Sequence, residues 1–174
     1  MSNVISTVED FMYIGRQETT KLCVKQLGLY FGLQCAELAE KLEALGVLGL
    51  SQQLDLVGDK LKEGAFSSKL ANLTQARKIA FLDGDIDLLW ASIGAAISLG
   101  ADVAGAFREV ASSNLSKAVY CAACQGDCEI DGEDCASCRG VGKVMFRDEN
   151  GKIMKPKGYK KPELAGFLTR GKKV

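Results

Sequence analysis

The sequence contains no histidine and only two prolines among its 174 residues. Since histidine is the usual general base and the usual partner of a nucleophilic serine or cysteine, its absence excludes Ser-His-Asp and Cys-His catalysis and histidine-ligated metals. Both prolines, Pro156 and Pro162, lie near the end, so the first 120 residues lack the strongest helix breaker. Chemistry must therefore depend on carboxylates, amines, guanidinium groups, hydroxyls, thiols or a bound metal.

Net charge and long apolar runs are missing as well. The 22 basic residues balance the 22 acidic ones, and this disfavours a general nucleic-acid binder, which is usually basic. The most apolar stretch, residues 86–99, contains Asp87 and is too short to cross a membrane. The first ten residues show no basic segment followed by an apolar run, so no signal peptide is expected.

Cysteine is abundant and clustered. Five of the seven cysteines lie between residues 121 and 138. The knuckles Cys121-x-x-Cys124 and Cys135-x-x-Cys138 offer four thiolates to one tetrahedral ion, which predicts a closed, structural zinc site in the reducing cytoplasm. A pair of disulfides or a redox motif is the alternative interpretation. The fifth thiol, Cys128, is either a replacement ligand or a bystander.

Apolar residues recur at helical spacing through the first 120 positions. They predict helices over residues 7–14, 18–45, 50–63, 70–99 and 103–120. Thr7 is the predicted N-cap of the first helix and Asp102 that of the last. The segment from Asp148 to Gly151 predicts a hairpin turn, and the lysine-rich end is expected to be extended. The predicted domains are a helical catalytic domain at 1–120, a zinc knuckle and β-hairpin at 121–155, and a basic C-terminal tail at 156–174.

Two acidic pairs stand out on the predicted long helices. Glu37 and Glu40 are three residues apart, and Asp83 and Asp87 are four apart, so each pair shares a helix face. Four carboxylates on facing helices would repel one another unless a cation lay between them. Oxygen ligands without histidine favour Mg²⁺ or Mn²⁺. The alternative is a solvated face on which the glutamates pair with Lys41.

The order of these motifs resembles the all-α nucleoside-triphosphate (NTP) pyrophosphohydrolases, the MazG-like superfamily. The Glu-x-x-Glu pattern and the segment 83–90, DGDIDLLW, are similar to the two metal-binding helices of phage and bacterial members. The segments 106–110, AFREV, and 113–117, SNLSK, resemble the next helix of those enzymes, and 8–11, VEDF, resembles their first helix. The resemblance covers residues 4–120 and the Lys-Pro tail. In addition, Cys138-Arg139-Gly140-Val141-Gly142 is similar to the zinc knuckles of J-domain cochaperones.

The resemblance to the hydrolases implies an all-α, antiparallel helical bundle that converts (d)NTP and water to (d)NMP and pyrophosphate. Purine deoxynucleotides, dGTP in particular, are the expected substrates. The expected assembly is a homodimer or a homotetramer. The expected location is the cytoplasm, which is the host cytoplasm if the protein is phage-encoded. Glu40 or Glu43 would accept the proton of the attacking water, and Trp90 is expected in the core. The implied site comprises the metal ligands Glu37, Glu40, Asp83 and Asp87 and the phosphate-binding residues Asn114 and Lys117, with Lys78 and Arg108 as further candidates.

Two other functions compete with this one. The knuckles and the lysine-rich tail would suit a nucleic-acid-binding zinc module with a helical dimerisation scaffold, although the zinc loop is acidic from Asp127 to Asp134. A non-catalytic helical interaction protein is the third possibility. Release of pyrophosphate from a panel of nucleotides distinguishes the enzyme from both.

Overall fold

The computed structural model describes residues 2–168, except for the side chains of Ser2 and Asn3. Within this range the chain forms six α-helices and four two-residue strands, so the predicted helical class with a small β appendage is confirmed. It divides into two compact units, each assembled from separate stretches of sequence. Unit 1 comprises Met1–Gly15, Thr74–Phe146 and Lys155–Val174, and unit 2 comprises Arg16–Leu73 and Arg147–Met154.

Unit 2 is built on a close pair of helices, α2 (Val24–Ala44) and α3 (Leu48–Lys62), followed by the short α4 (Ser67–Ala71). A Cβ atom added to Gly32 would lie 2.5 Å from the carbonyl oxygen of Gly58. A Cβ atom added to Gly58 would lie 2.8 Å from the carbonyl oxygen of Gly32. The two backbones therefore touch at this point, and only glycine permits the approach. The buried apolar residues of the unit are Leu29, Cys35, Ala39, Leu61, Leu70 and Ile153.

Local hydrogen bonds delay the start of α2 relative to the predicted residue 18. The side chain of Gln26 accepts from the backbone N–H of Glu18 at 2.8 Å and donates to its carbonyl oxygen at 2.7 Å. The Glu18 carboxylate in turn accepts from the N–H and the hydroxyl of Thr20. These side-chain bonds replace helical ones, as short polar side chains often do near helix starts.

Unit 1 contains α1 (Ser2–Ile14), α5 (Gln75–Ser98) and α6 (Val103–Leu115). The predicted cap Thr7 is wrong, because α1 begins at Ser2 and Thr7 lies inside it. The predicted start of α5 at residue 70 is wrong too, since Thr74 is extended and caps the helix by accepting from the N–H of Arg77. Asp102 caps α6 as predicted, accepting from the N–H of Gly105 at 3.0 Å.

The strands of unit 1 form two small antiparallel ladders. In the first, β1 (Val119–Tyr120) pairs with β4 (Lys143–Val144). In the second, β2 (Glu129–Ile130) pairs with β3 (Glu133–Asp134). Strand β1 lies where α6 was predicted to continue to residue 120. Pairing with β4 overrides the helical pattern there, because a strand partner satisfies the same backbone groups.

Helix α5 differs from the other long helices because none of its residues is buried. Ile79, Leu82, Ile86 and Leu89 are each between 52% and 61% exposed and follow one another at spacings of three and four residues. Such spacing is typical of a helix face that packs against another helix. The predicted core position of Trp90 is wrong, since this side chain is 76% exposed. In the part of the chain that the structure describes, no helix has the length and apolarity needed to cross a bilayer.

Candidate metal centre and predicted phosphate-binding residues

The four predicted zinc ligands converge in unit 1. The Sγ atoms of Cys121, Cys124, Cys135 and Cys138 all lie within 4.8 Å of one another, and all four side chains are buried. The Cys121 and Cys135 sulfurs are 3.9 Å apart and the Cys124 and Cys138 sulfurs 3.6 Å apart. Zinc–thiolate bonds of about 2.3 Å in a tetrahedron require sulfurs about 3.8 Å apart. The group therefore fits one zinc ion, and these separations are too long for the disulfides of the alternative interpretation.

The two knuckles fold by the same local means. In each, the second cysteine is followed by two residues with positive φ: Gln125 (54°) and Gly126 (98°) in one, and Arg139 (55°) and Gly140 (73°) in the other. This left-handed pair turns the chain back so that its thiols face inward. Gly142 then passes so close to the first knuckle that an added Cβ atom would lie 2.5 Å from the carbonyl oxygen of Gly126.

Backbone hydrogen bonds reach two sulfurs of the tetrad and stabilise the thiolate form of Cys121. Hydrogen bonding by the backbone of Cys124 is the main cause that lowers the pKa of Cys121 to about 7, against an opposing effect of burial. The N–H of Gly142 donates to the Sγ atom of Cys138 at 3.2 Å. These bonds orient the sulfurs in the manner of the outer hydrogen bonds that support metal ligands.

Cys128 lies beside the tetrad but is not one of the four converging ligands. Its Sγ atom is 3.6 Å from the carbonyl oxygen of Gly126, to which it donates. Burial raises its pKa, and the charges of Cys138 and Cys124 raise it further. The thiol form is thus favoured at Cys128, in contrast to Cys121.

The four predicted magnesium ligands are divided between the two units. Glu37 and Glu40 lie on α2 of unit 2, whereas Asp83 and Asp87 lie on α5 of unit 1, and all four residues are exposed. The structure brings together the members of each pair on their helix, but the joint site remains a prediction. Among residues 2–168, the recorded ion pair joins Lys62 to Asp59. The exposure of the four carboxylates also agrees with the solvated-face interpretation, although within the described residues Glu37 and Glu40 form no ion pair with Lys41.

The two predicted phosphate-binding residues of unit 1 are in contact. The Lys117 Nζ atom donates to the Asn114 Oδ1 atom at 2.7 Å. Lys117 follows the end of α6 rather than lying on it, and its Nζ atom is 5.7 Å from the ring centroid of Phe11 and 5.9 Å from that of Tyr159. The other two predicted residues, Lys78 on α5 and Arg108 on α6, are exposed.

Tyr159 was not predicted as a site residue. The Lys155 Nζ atom lies 5.0 Å from the Tyr159 ring centroid, so two lysines contact one ring. The available sequence signal was Lys155-Pro156-Lys157-Gly158-Tyr159, a segment in which an aromatic residue follows two lysines. Its position beside Lys117 depends on tertiary contacts that no local pattern specifies.

Each unit also contains a cavity. The cavity of unit 1 has a volume of about 290 Å³ and is lined by Tyr13, Ile14, Leu115, Ala118 and Val141, with Asp10 and Lys143 as its charged residues. The cavity of unit 2 has a volume of about 320 Å³. Its lining is more polar, and its edge is formed by the predicted hairpin turn, in which Asp148 Oδ1 accepts from the N–H groups of Asn150 and Lys152.

Comparisons of this chain with protein-family models, with curated proteins and with solved structures found no match.

Proposed function

We propose that the protein is a magnesium- or manganese-dependent NTP pyrophosphohydrolase that also contains a structural zinc ion. The observation that carries this proposal is that four carboxylates are exposed and lack an ion-pair partner among residues 2–168. Glu37, Glu40, Asp83 and Asp87 are exposed, and within the described residues none has a lysine or arginine within 4.0 Å. Two such pairs, each on one helix face and without a protein cation, offer oxygen ligands to a divalent metal.

The chain's own residues then have separate tasks. Bound Mg²⁺ would offset the charge of the triphosphate and lower the pKa of a coordinated water. Asn114 and Lys117 would hold the phosphates by hydrogen bonding and charge. The water oxygen forms a bond to phosphorus at the anhydride between the α- and β-phosphates, that anhydride breaks, and Glu40 or Glu43 takes the water proton. The products are a nucleoside monophosphate and pyrophosphate.

The cavity of unit 1 supports the location of the base. Tyr13, together with Leu115 and Ala118, gives it the apolar lining that a nucleobase requires, and Asp10 adds an acceptor. A carboxylate can accept from the N–H groups of guanine, which agrees with dGTP as the preferred member of the purine deoxynucleotides. The expected setting is nucleotide-pool control in the cytoplasm.

The apolar face of α5 supports a homo-oligomer. Six large apolar side chains of α5 are each at least 52% exposed: Ile79, Leu82, Ile86, Leu89, Trp90 and Ile97. Together they offer roughly the 800 Å² that one partner contributes to a standard protein interface. Because the seam repeats every three and four residues, a second copy of α5 is the partner we assign to it. The proposed assembly is a homodimer or a homotetramer.

The test is pyrophosphate release from a panel of ribo- and deoxynucleoside triphosphates, with Mg²⁺, with Mn²⁺ and with EDTA. We expect metal-dependent release of pyrophosphate and the monophosphate, fastest with a purine deoxynucleotide. Release of orthophosphate alone would contradict the proposed bond cleavage. If no nucleotide is hydrolysed and the protein binds DNA in a salt-sensitive way, the nucleic-acid-binding zinc module replaces the hydrolase.

A further inference from the structure

The lysine-rich segment after residue 155 is fixed to α6 rather than free. The hydroxyl of Ser113, a residue only 5% exposed, donates to the carbonyl oxygen of Lys160 at 2.7 Å. The N–H of Lys160 donates to the Ser116 hydroxyl at 2.9 Å. Further along, the N–H of Glu163 donates to the Glu109 carboxylate at 3.0 Å. Bonds spread along α6 therefore hold this segment in one register.

The same anchor fixes the ring of Tyr159. The Tyr159 hydroxyl lies 3.1 Å from the Ser113 Oγ atom. A serine hydroxyl has one hydrogen, and Ser113 gives it to Lys160, so the Tyr159 hydroxyl acts as donor in this pair. The Tyr159 N–H donates to the Pro156 carbonyl oxygen at 3.0 Å. The ring is thus held at both its backbone and its hydroxyl end.

Two ammonium groups converge on this fixed ring. Lys155 Nζ lies 5.0 Å and Lys117 Nζ 5.9 Å from the Tyr159 centroid. Among residues 2–168, no carboxylate oxygen lies within 4.0 Å of the Lys155 ammonium. Cations placed over aromatic rings remain able to donate hydrogen bonds from their other N–H groups. The Lys155 ammonium, an exposed cation beside a fixed ring, is therefore able to donate to an anionic ligand.

We propose that Lys155, Lys117 and Asn114, arranged around Tyr159, bind the phosphate chain of a free nucleotide. This inference rests on the proposed function and extends it, because it assigns Lys155 a direct contact with the substrate. Tyr159 and Ser113 are positioning residues, since they hold the segment that carries Lys155. The two lysines come from different segments, the tail and the end of α6, and a chain of phosphates carries oxygens for contacts with both.

The test uses inorganic tripolyphosphate and the full, zinc-loaded chain without added Mg²⁺ or Mn²⁺, so that the proposed magnesium site does not contribute. We expect Lys155→Gln to weaken binding, measured by calorimetry, about 10-fold, the usual effect of losing one charge-assisted hydrogen bond. Lys155→Arg should stay within about twofold of the unmodified chain because it keeps the charge. Lys157→Gln is the matched control, since Lys157 is an exposed tail lysine without a recorded ring contact.

Ser113→Ala tests the positioning role separately. It should weaken tripolyphosphate binding less than Lys155→Gln does, and the double variant should weaken binding no more than Lys155→Gln alone. Equal effects of Lys155→Gln and Lys157→Gln would overturn the proposal, because a general electrostatic attraction would then explain binding. Tighter binding of single-stranded DNA than of tripolyphosphate at 0.15 M salt would also overturn it, since a free nucleotide would not be the favoured ligand.

Nucleotide hydrolysis separates this inference from the function on which it rests. If the unmodified chain hydrolyses nucleotides and Lys155→Gln keeps both its KM and its tripolyphosphate affinity, the lysine site is wrong and the hydrolase stands. If tripolyphosphate binding depends on Lys155 but no nucleotide is hydrolysed, the phosphate site stands and the hydrolase is wrong. A raised KM with unchanged zinc content and helicity is the expected result.

Discussion

The cysteine module, the segment that carries Cys121, Cys124, Cys135 and Cys138, has candidate ligands that are close together in the sequence. The candidate ligands of the carboxylate pairs are far apart in the sequence. The four cysteines lie between residues 121 and 138, in one unit, and their sulfurs converge. The four carboxylates lie on two helices that belong to different units, and the members of each pair are neighbours on their own helix. A site made from one short segment is specified by its own turns, whereas a site made from distant helices depends on tertiary and quaternary packing.

The largest expected effect breaks the cysteine module. Cys135→Ser removes one of four buried thiolates, and zinc binding in such domains is worth about 10–16 kcal/mol of folding free energy. We expect zinc content, measured by elemental analysis, to fall from about one ion per chain to well below half, with loss of the β1–β4 pairing. Cys128→Ser is the matched control and should keep its zinc. Equal loss in both variants would make Cys128 a ligand.

The second effect tests the carboxylate pairs. Glu40→Ala and Asp87→Ala should each reduce metal-dependent pyrophosphate release at least about 100-fold, because each removes a metal ligand. Helical content by circular dichroism and zinc content should not change, since both residues are exposed. Glu63→Ala, which alters an exposed glutamate outside both pairs, is the control. Turnover like that of the unmodified chain in either ligand variant would refute the assignment.

The third effect tests whether a second copy covers α5. Leu89→Asp places a charge in the apolar seam, and burying it should cost several kcal/mol, enough to dissociate the assembly. We expect light scattering to show a monomer. Ala91→Asp changes a residue on the opposite side of the same helix and should leave the mass unchanged. A monomeric unmodified chain at micromolar concentration would contradict the proposed homo-oligomer.

The smallest effect compares two glycines of the cysteine module. Gly132 (φ 81°) has open space around it, so Gly132→Ala should cost about 1 kcal/mol for the left-handed backbone alone. Gly142 (φ 72°) would place its new Cβ atom 2.5 Å from the Gly126 carbonyl oxygen. Gly142→Ala should therefore cost about 2–3 kcal/mol more. Competition with a zinc chelator measures both. Equal zinc affinities of the Gly132→Ala and Gly142→Ala variants would mean that the close approach of Gly142 to Gly126 does not constrain the cysteine module.

The parts of the fold that could be predicted are those in which neighbouring residues act on each other. The knuckles were correct because Cys-x-x-Cys spacing and the following glycines fix both the ligands and the turns. The Asp102 cap was correct for the same reason. The predicted starts of α2 and α5 are wrong. The Gln26 side chain forms a hydrogen bond with Glu18, eight residues earlier, and Thr74 caps α5.

Longer-range features escaped prediction for a physical reason. Val119 and Tyr120 continue a helical pattern, yet they pair with a strand more than twenty residues later. Trp90 follows two leucines and was assigned to the core, although no residue of α5 is buried. The contact of Lys155 and Lys117 with Tyr159 joins segments about forty residues apart. The strand pairing and the contact of Lys117 with Tyr159 join residues outside the window in which local propensity acts.

The interleaving of the two units has a consequence for biosynthesis. Unit 2 is completed by Arg147–Met154, and unit 1 takes its last segment from beyond that point. Domains usually fold in order as the ribosome releases them. Here unit 2 is complete only after the ribosome has released residue 154. Unit 1 is complete only after the ribosome has released the lysine-rich segment. A chain stalled or truncated after Phe146 would lack a part of both units, Arg147–Met154 of unit 2 and the last segment of unit 1.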